Sequence, residues 1–230
     1  MGLSLKRRDA CDYLKDVYGG VLTILMKDPN NVQSAMDFLS KSLDDLVQGN
    51  VGMDKLSITK SLKSDYKNPK QIAHNVLAER IGEREPGNKP KPGERIKYVY
   101  FVNADKKALQ GEKIETPQFI ISKKLKIDYN HYITNQLMKP LQQLFGLALD
   151  KIYTYLGKAK DKQGYYIEIE RLNSLFGEDV ETFMKQKEKY CSAKIKEILF
   201  QPFLTKIHNS QNGIQTIDNL FARLPIRPRK

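Results

Sequence analysis

The sequence predicts an α+β chain, mostly helical, with a few short strands. Three observations carry that prediction. Long stretches repeat apolar residues at intervals of three and four, as one face of a helix does. Two short runs, 56–62 and 95–102, have strand character instead, the first by alternation and the second by its aromatic and β-branched content. Polar or Pro/Gly-rich segments separate these runs, and the chain has 230 residues, enough to bury a core without staples.

In chain order, residues 8–27 predict a helix through Ala10, Leu14, Val17, Tyr18, Val21, Leu22 and Leu25. Gly19 and Gly20 fall inside it; a glycine costs a helix about 1 kcal/mol against alanine, so something is expected to pack closely there. Pro29 and Asn30 break the chain. Residues 32–48 resume the pattern with Val32, Ala35, Met36, Leu39, Leu43 and Leu46, and Gly49 is suited to follow the helix end. In "LSITKSL" (56–62), Leu56, Ile58 and Leu62 alternate onto one strand face, and Lys60 falls in phase with them. A lysine there either snorkels to water at a strand end or meets an anion.

Asn68 and Pro69 predict a helix start, followed by a stripe of Ile72, Ala73, Val76, Leu77 and Ile81; His74, Arg80 and Arg84 lie off that stripe. "EPGNKPKPGER" (85–95) is a loop carrying Lys89, Lys91 and Arg95, and "RIKYVYFV" (95–102) is a strand. Residues 128–149 predict a helix capped by Asp128 that Pro140 should kink or split. A lysine-rich loop is expected at 157–164, a helix at 178–200 that Pro202 ends, and a short helix at 214–223. No internal repeat is present.

The formal net charge is +12, from 39 Lys and Arg against 27 Asp and Glu, which points to nucleic acid before an anionic membrane surface. Cys11 and Cys191 form no CxxC pair and no disulfide framework, which fits a reducing compartment. No apolar run approaches the length of a membrane span, so no membrane partner is expected. No phosphate-binding glycine loop is found, and His74, His131 and His208 lack metal-ligand spacing. Asp9, Asp12 and Asp16 share a helix face, where acidic residues near an N-terminus complement the helix dipole. No catalytic or metal-binding residue is assigned, and no cofactor is expected on these residues.

Four stretches, in this order and spacing over residues 2–146, resemble the C-terminal portion of family B DNA polymerases: "GLSLKRRDACDYL", "LSITKSL", "YKNPKQIAHNVLAERIGEREPGNKPKPGERIKYVYF" and "KIDYNHYITNQLMKPLQQLFG". The resemblance is to the delta-type catalytic subunit and its relatives in large DNA viruses, and the later "EKYCSAKIKEILFQPFLTKI" resembles the viral members. It implies a terminal palm segment with one palm helix at 1–28. A helical, thumb-like domain with a C-terminal extension would follow at 29–230 and grip primer–template duplex DNA. It also implies that the catalytic aspartates, and the Mg2+ of the complete enzyme, belong to an N-terminal polymerase part preceding this chain. This chain alone would then not polymerise. The alternatives are a stand-alone nucleic-acid-binding protein and a non-functional remnant. If viral, its place would be the host nucleus or a cytoplasmic replication site.

By motif match the resemblance assigns DNA-backbone contacts to Arg7, Arg8, Lys60, Arg80 and Arg95. For Arg80 the competing role is a structural ion pair. Lys89 and Lys91 serve either DNA or loop solubility. Tyr129 and Tyr132 are expected to pack rather than stack on bases, and Asn135 and Gln136 to be buried and fix the fold by hydrogen bonds, beside Lys139. The tail "GIQTIDNLFARLPIRPRK" places Gln215 and Phe221 at the spacing of a sliding-clamp-binding peptide. Asp218 and Ala222 depart from that pattern, and Ile214, Ile217, Leu220 and Phe221 also suit an amphipathic helix. Without a palm to cover it, the helix at 8–27 is expected to leave Val17, Val21 and Leu25 exposed and to reduce solubility.

Overall fold

The computed structural model describes residues 10–105 and 107–211. Helix α1 (Asp12–Lys27) packs on α2 (Val32–Val47), whose first turn is capped by Asn31 accepting from the Ser34 N–H. The buried residues of α2 are Val32, Ala35, Met36, Leu39, Leu43 and Leu46, the whole predicted stripe. The Phe38 ring occupies the space a side chain at Gly20 would need, its edge overlapping the position of a Cβ. That is the close approach the glycine in mid-helix called for. The expected exposure of α1 is corrected. Val17 and Val21 are 2% and 0% exposed, and Leu25 is partly buried, because α2 and the elements beyond it cover that face.

A short turn of helix, α3 (Met53–Leu56), leads into β1 (Ile58–Ser61). Strand β2 (Arg95–Tyr100) lies between β1 and β3 (Ile114–Glu115), antiparallel to both. Ile58 faces Tyr98, Lys60 faces Ile96 and Ser61 faces Arg95. The pairing runs past the strand end: the Leu62 N–H donates to the Glu94 carbonyl, and the Gly93 N–H donates to Leu62. Gly93 makes this turn at φ +90, a conformation that a side chain disfavours.

The helix expected from Pro69 starts later. Pro69–Gln71 form a 3-10 turn, Ile72 is extended, and α4 runs Ala73–Arg84. Asn68 caps nothing with its side chain. The segment before β3 and helix α5 (Pro117–Lys123) was not anticipated, although Thr116 accepts from the Phe119 N–H and Pro117 sits at the first position.

Asp128 does cap the next helix, accepting from the His131 N–H. Its course is α6 (Tyr129–His131), a π-helical stretch (Tyr132–Leu137) and α7 (Met138–Gly146), so Pro140 neither ends nor splits it. The wide turn holds Gln136, whose carbonyl would collide with the proline ring in regular helix. After α8 (Leu149–Tyr155), the lysine-rich segment expected to be a loop is the start of α9 (Ala159–Phe176). Helix α10 (Val180–Ile195) passes through a second π-helical stretch (Lys196–Phe200) into α11 (Gln201–Gln211). Pro202 therefore does not end that run either, and the same device precedes it. One continuous core, from Ala10 to Ile207, joins α1 and α2, the sheet, α7 and α11. The helix expected at 214–223 lies outside the described residues.

Candidate nucleic-acid interface

At the open end of the β1–β2 pair lies a groove of about 480 Å³, lined by Thr59, Lys60, Ser61, Lys63, Tyr66, Ile72, His74 and Arg95. Lys60 is half-buried on the strand position between buried Ile58 and buried Leu62, as the alternation predicted. Arg95 reaches the groove because β2 begins opposite Ser61. Three cationic side chains thus line one depression, and no Asp or Glu is among the described residues that line it.

The wall opposite the strands is built from the segment after β1 and the first turn of α4. The Tyr66 hydroxyl accepts from the Lys63 main-chain N–H at 2.8 Å and lies 2.9 Å from His74 Nε2. Tyr66 and His74 meet edge-on. The His74 imidazole is held below its ordinary value by burial first and then by the charge of Lys60. A hydrogen bond to the Ser61 main chain works the other way. Lys63, Tyr66 and His74 were not assigned to DNA from the sequence; the signal was their position just beyond the "ITKSL" strand and within "IAHNV".

Arg80 is engaged elsewhere. Its Nε donates to Glu115 Oε1 at 2.8 Å, Nη1 donates to the Gly111 carbonyl at 3.1 Å, and Nη2 donates to the Ile114 carbonyl. Arg84 grips the same carboxylate with two bonds, at 3.0 and 3.1 Å, and lies over the Phe119 ring. Glu115 is only 3% exposed, and the Thr116 N–H donates to it as well. This is the structural ion pair weighed as the competing role for Arg80. Glu115 itself was missed; the signal was two arginines one helical turn apart.

Lys89 pairs with Glu79, and the Lys91 N–H donates to Glu94. Tyr132 is fully buried and its hydroxyl accepts from the Tyr100 N–H; Tyr129 is half-buried beside Gly49. Asn135 is exposed rather than buried as expected, yet its side chain meets His131 Nδ1 at 2.8 Å, and the His131 ring stacks on Tyr100. Gln136 is half-buried, and Lys139 is exposed. Asp12 stands in the first turn of α1 and pairs with Lys15, while Asp16 pairs with Lys55. Arg7, Arg8, Asp9, Gln215 and Phe221 lie outside the described residues. Among the described residues, no three His, Cys, Asp or Glu could hold a metal ion, so no metal-dependent step is assigned to them. Among the same residues, no helix is long and apolar enough to cross a membrane.

The family model of DNA polymerase family B matches residues 1–147. The DNA polymerase of Pyramimonas orientalis virus is 40% identical over 234 residues, covering 98% of this chain and 18% of that protein. The DNA polymerase of Acanthamoeba polyphaga mimivirus is 42% identical over 155 residues, covering 65% of this chain and 9% of the relative. The delta catalytic subunit of Caenorhabditis elegans is 38% identical over 145 residues, or 63% of this chain and 13% of the subunit. The chain therefore belongs to the family B DNA polymerases. It spans less than a fifth of the length of these relatives. The Pyramimonas orientalis virus match runs almost the whole chain, while the mimivirus and Caenorhabditis elegans matches each cover about two thirds of it. The family B polymerase of the archaeon Pyrobaculum calidifontis aligns over 57% of this chain and 17% of its own, with a TM-score of 0.49 and 21% identity.

Proposed function

We propose that this chain is the duplex-gripping, thumb-like part of a DNA-directed DNA polymerase, with α1 as the last element of the palm. It holds the backbone phosphates of primer–template DNA, without reading sequence, while residues elsewhere carry out nucleotidyl transfer with Mg2+. The observation that carries this reading is the groove at the end of β1–β2, lined by Lys60, Lys63 and Arg95 and by no carboxylate among its described residues. Phosphodiester oxygens are the partner that such a groove suits. Family membership and the net charge of +12 support it. A second reading, a duplex-binding protein that acts without a polymerase partner, is favoured by the cover that this chain's own core gives Val17 and Val21.

The test is fluorescence anisotropy of the purified chain with primer–template duplexes of unrelated sequence, over a salt series. Affinity should fall with salt by about 0.9 logarithmic units per phosphate neutralised. Lys60→Ala and Arg95→Ala should each lower that slope by roughly one such unit. Absence of binding at low salt, or slopes unchanged in both variants, would refute the proposal.

A further inference from the structure

The Tyr66–His74 contact gives the groove a directional hydrogen-bond chain. The Lys63 N–H donates to the Tyr66 oxygen, and the Tyr66 oxygen lies 2.9 Å from His74 Nε2. The tautomer sets the direction of that bond: a neutral imidazole with its proton on Nδ1 accepts the Tyr66 O–H at Nε2. A proton on Nε2 reverses that bond. The ring then donates to the Tyr66 oxygen, and the phenolic hydrogen is released towards the groove that Tyr66 lines.

We propose that Tyr66 and His74 are positioning residues of this groove: a bound phosphodiester draws a proton from solvent onto His74 Nε2, and the Tyr66 O–H turns from the ring to a phosphate oxygen. The inference rests on the duplex-phosphate reading above. Its driving force is electrostatic. The charge of Lys60 disfavours a second positive charge on His74, and a phosphate beside Lys60 cancels that charge. Besides Lys60, the charged groups in the described lining of the groove are Lys63 after β1 and Arg95 at the start of β2. No carboxylate lines the described part of the groove, so the phosphate supplies the negative charge.

The experiment measures duplex affinity by anisotropy at constant ionic strength between about pH 8 and about pH 6, in wild type, His74→Gln, Tyr66→Phe and Lys60→Ala. Wild-type binding should tighten by about three- to tenfold as the pH falls, since uptake of one proton gives at most tenfold per pH unit. His74→Gln should show no such tightening between the two ends of the range. Tyr66→Phe should lose most of the gain. A variant that fails to fold does not decide the matter, because the imidazole carbon resonance of His74 in the wild-type chain gives a second readout. Its titration midpoint should move up when a short duplex is added. An unmoved midpoint, or identical pH profiles in wild type and His74→Gln, would overturn this inference while a weakened Lys60→Ala keeps the groove reading. Equal affinity of Lys60→Ala and wild type would overturn this inference, and no binding by any form would overturn both.

Discussion

Replacing Glu115 by alanine should destabilise the chain by about 2–3 kcal/mol, and the geometry fixes that figure. The carboxylate is 3% exposed and receives Arg80 Nε at 2.8 Å, Arg84 Nη1 at 3.0 Å and the Thr116 N–H at 3.0 Å. Breaking a fully buried pair costs about 3–5 kcal/mol, because an uncompensated charge is left in the interior. Here the arginine side chains keep 28% and 30% exposure, so water recovers part of the loss. Arg80 also keeps its bonds to the Gly111 and Ile114 carbonyls. In urea, with a slope of about 2–3 kcal/mol per molar for a chain of this size, the midpoint should fall by about 1 M. A double-mutant cycle between Glu115 and Arg84 should give a coupling of about 1–2 kcal/mol. Arg80→Ala should cost a similar stability yet leave the duplex affinity of the folded fraction unchanged. A midpoint shift below about 0.2 M for Glu115→Ala would refute the argument that α4 is tied to β3 through this carboxylate.

Two further outcomes follow from the core. His131 is buried on Tyr100, and burial, helped by the charge of Lys113, lowers its imidazole to about 4. The unfolded chain therefore binds the proton first, so stability present above about pH 6.5 is lost as the pH falls towards about 4, roughly 2 kcal/mol between about pH 7 and about pH 5. His131→Phe should remove that slope in urea unfolding. Burial raises Asp128, which acts in the opposite sense at the acid end, so the comparison belongs above pH 5 or so. A Cβ at Gly111 would lie 2.6 Å from the Cβ of Val76, an atom fixed to the α4 backbone, whereas one at Gly52 meets nothing within 4 Å. Gly111→Ala should cost about 1–3 kcal/mol and Gly52→Ala less than about 0.5, read as unfolding midpoints; equal values would contradict the packing of that turn on α4.

Periodicity made α2 fully legible, because each apolar residue of its stripe is buried by one neighbouring surface. Helix α9 was misread at its start for the opposite reason. Its first turns carry Lys160, Lys162 and Gly164, only Leu172 is buried along its length, and local composition alone suggests a loop. Pro140 and Pro202 were read as breaks because a proline ring clashes with the carbonyl four residues before it. The chain widens the turn at that point in both cases, a solution set by the packing of the flanking helices and not written in the local sequence. Lys60 was legible from its phase in the strand. His74 and Tyr66 were not, since their pairing depends on how the segment after β1 folds back onto α4.

Arg80 and Arg95 show what separates a cation that holds the fold from one that lines an open groove. Both sit in motifs that resemble polymerase segments, and both lie on or beside the small sheet. The difference is a carboxylate 35 residues away in sequence. Glu115 arrives next to Arg80 only because β3 pairs with β2, and that pairing in turn places Gly111 against Val76 and its carbonyl on the same guanidinium. At the other end of β2, Arg95 begins the strand opposite Ser61, where the sheet stops and no acidic residue joins the described lining of the groove. One strand thus carries a neutralised cluster at its end and a cationic groove at its start. Buried charge is tolerated where it is compensated, and the cations of the groove lie where solvent or a phosphate can reach them. If that division is real, Glu115→Gln should lower stability with little change in the salt dependence of duplex binding, and Arg95→Gln should do the reverse.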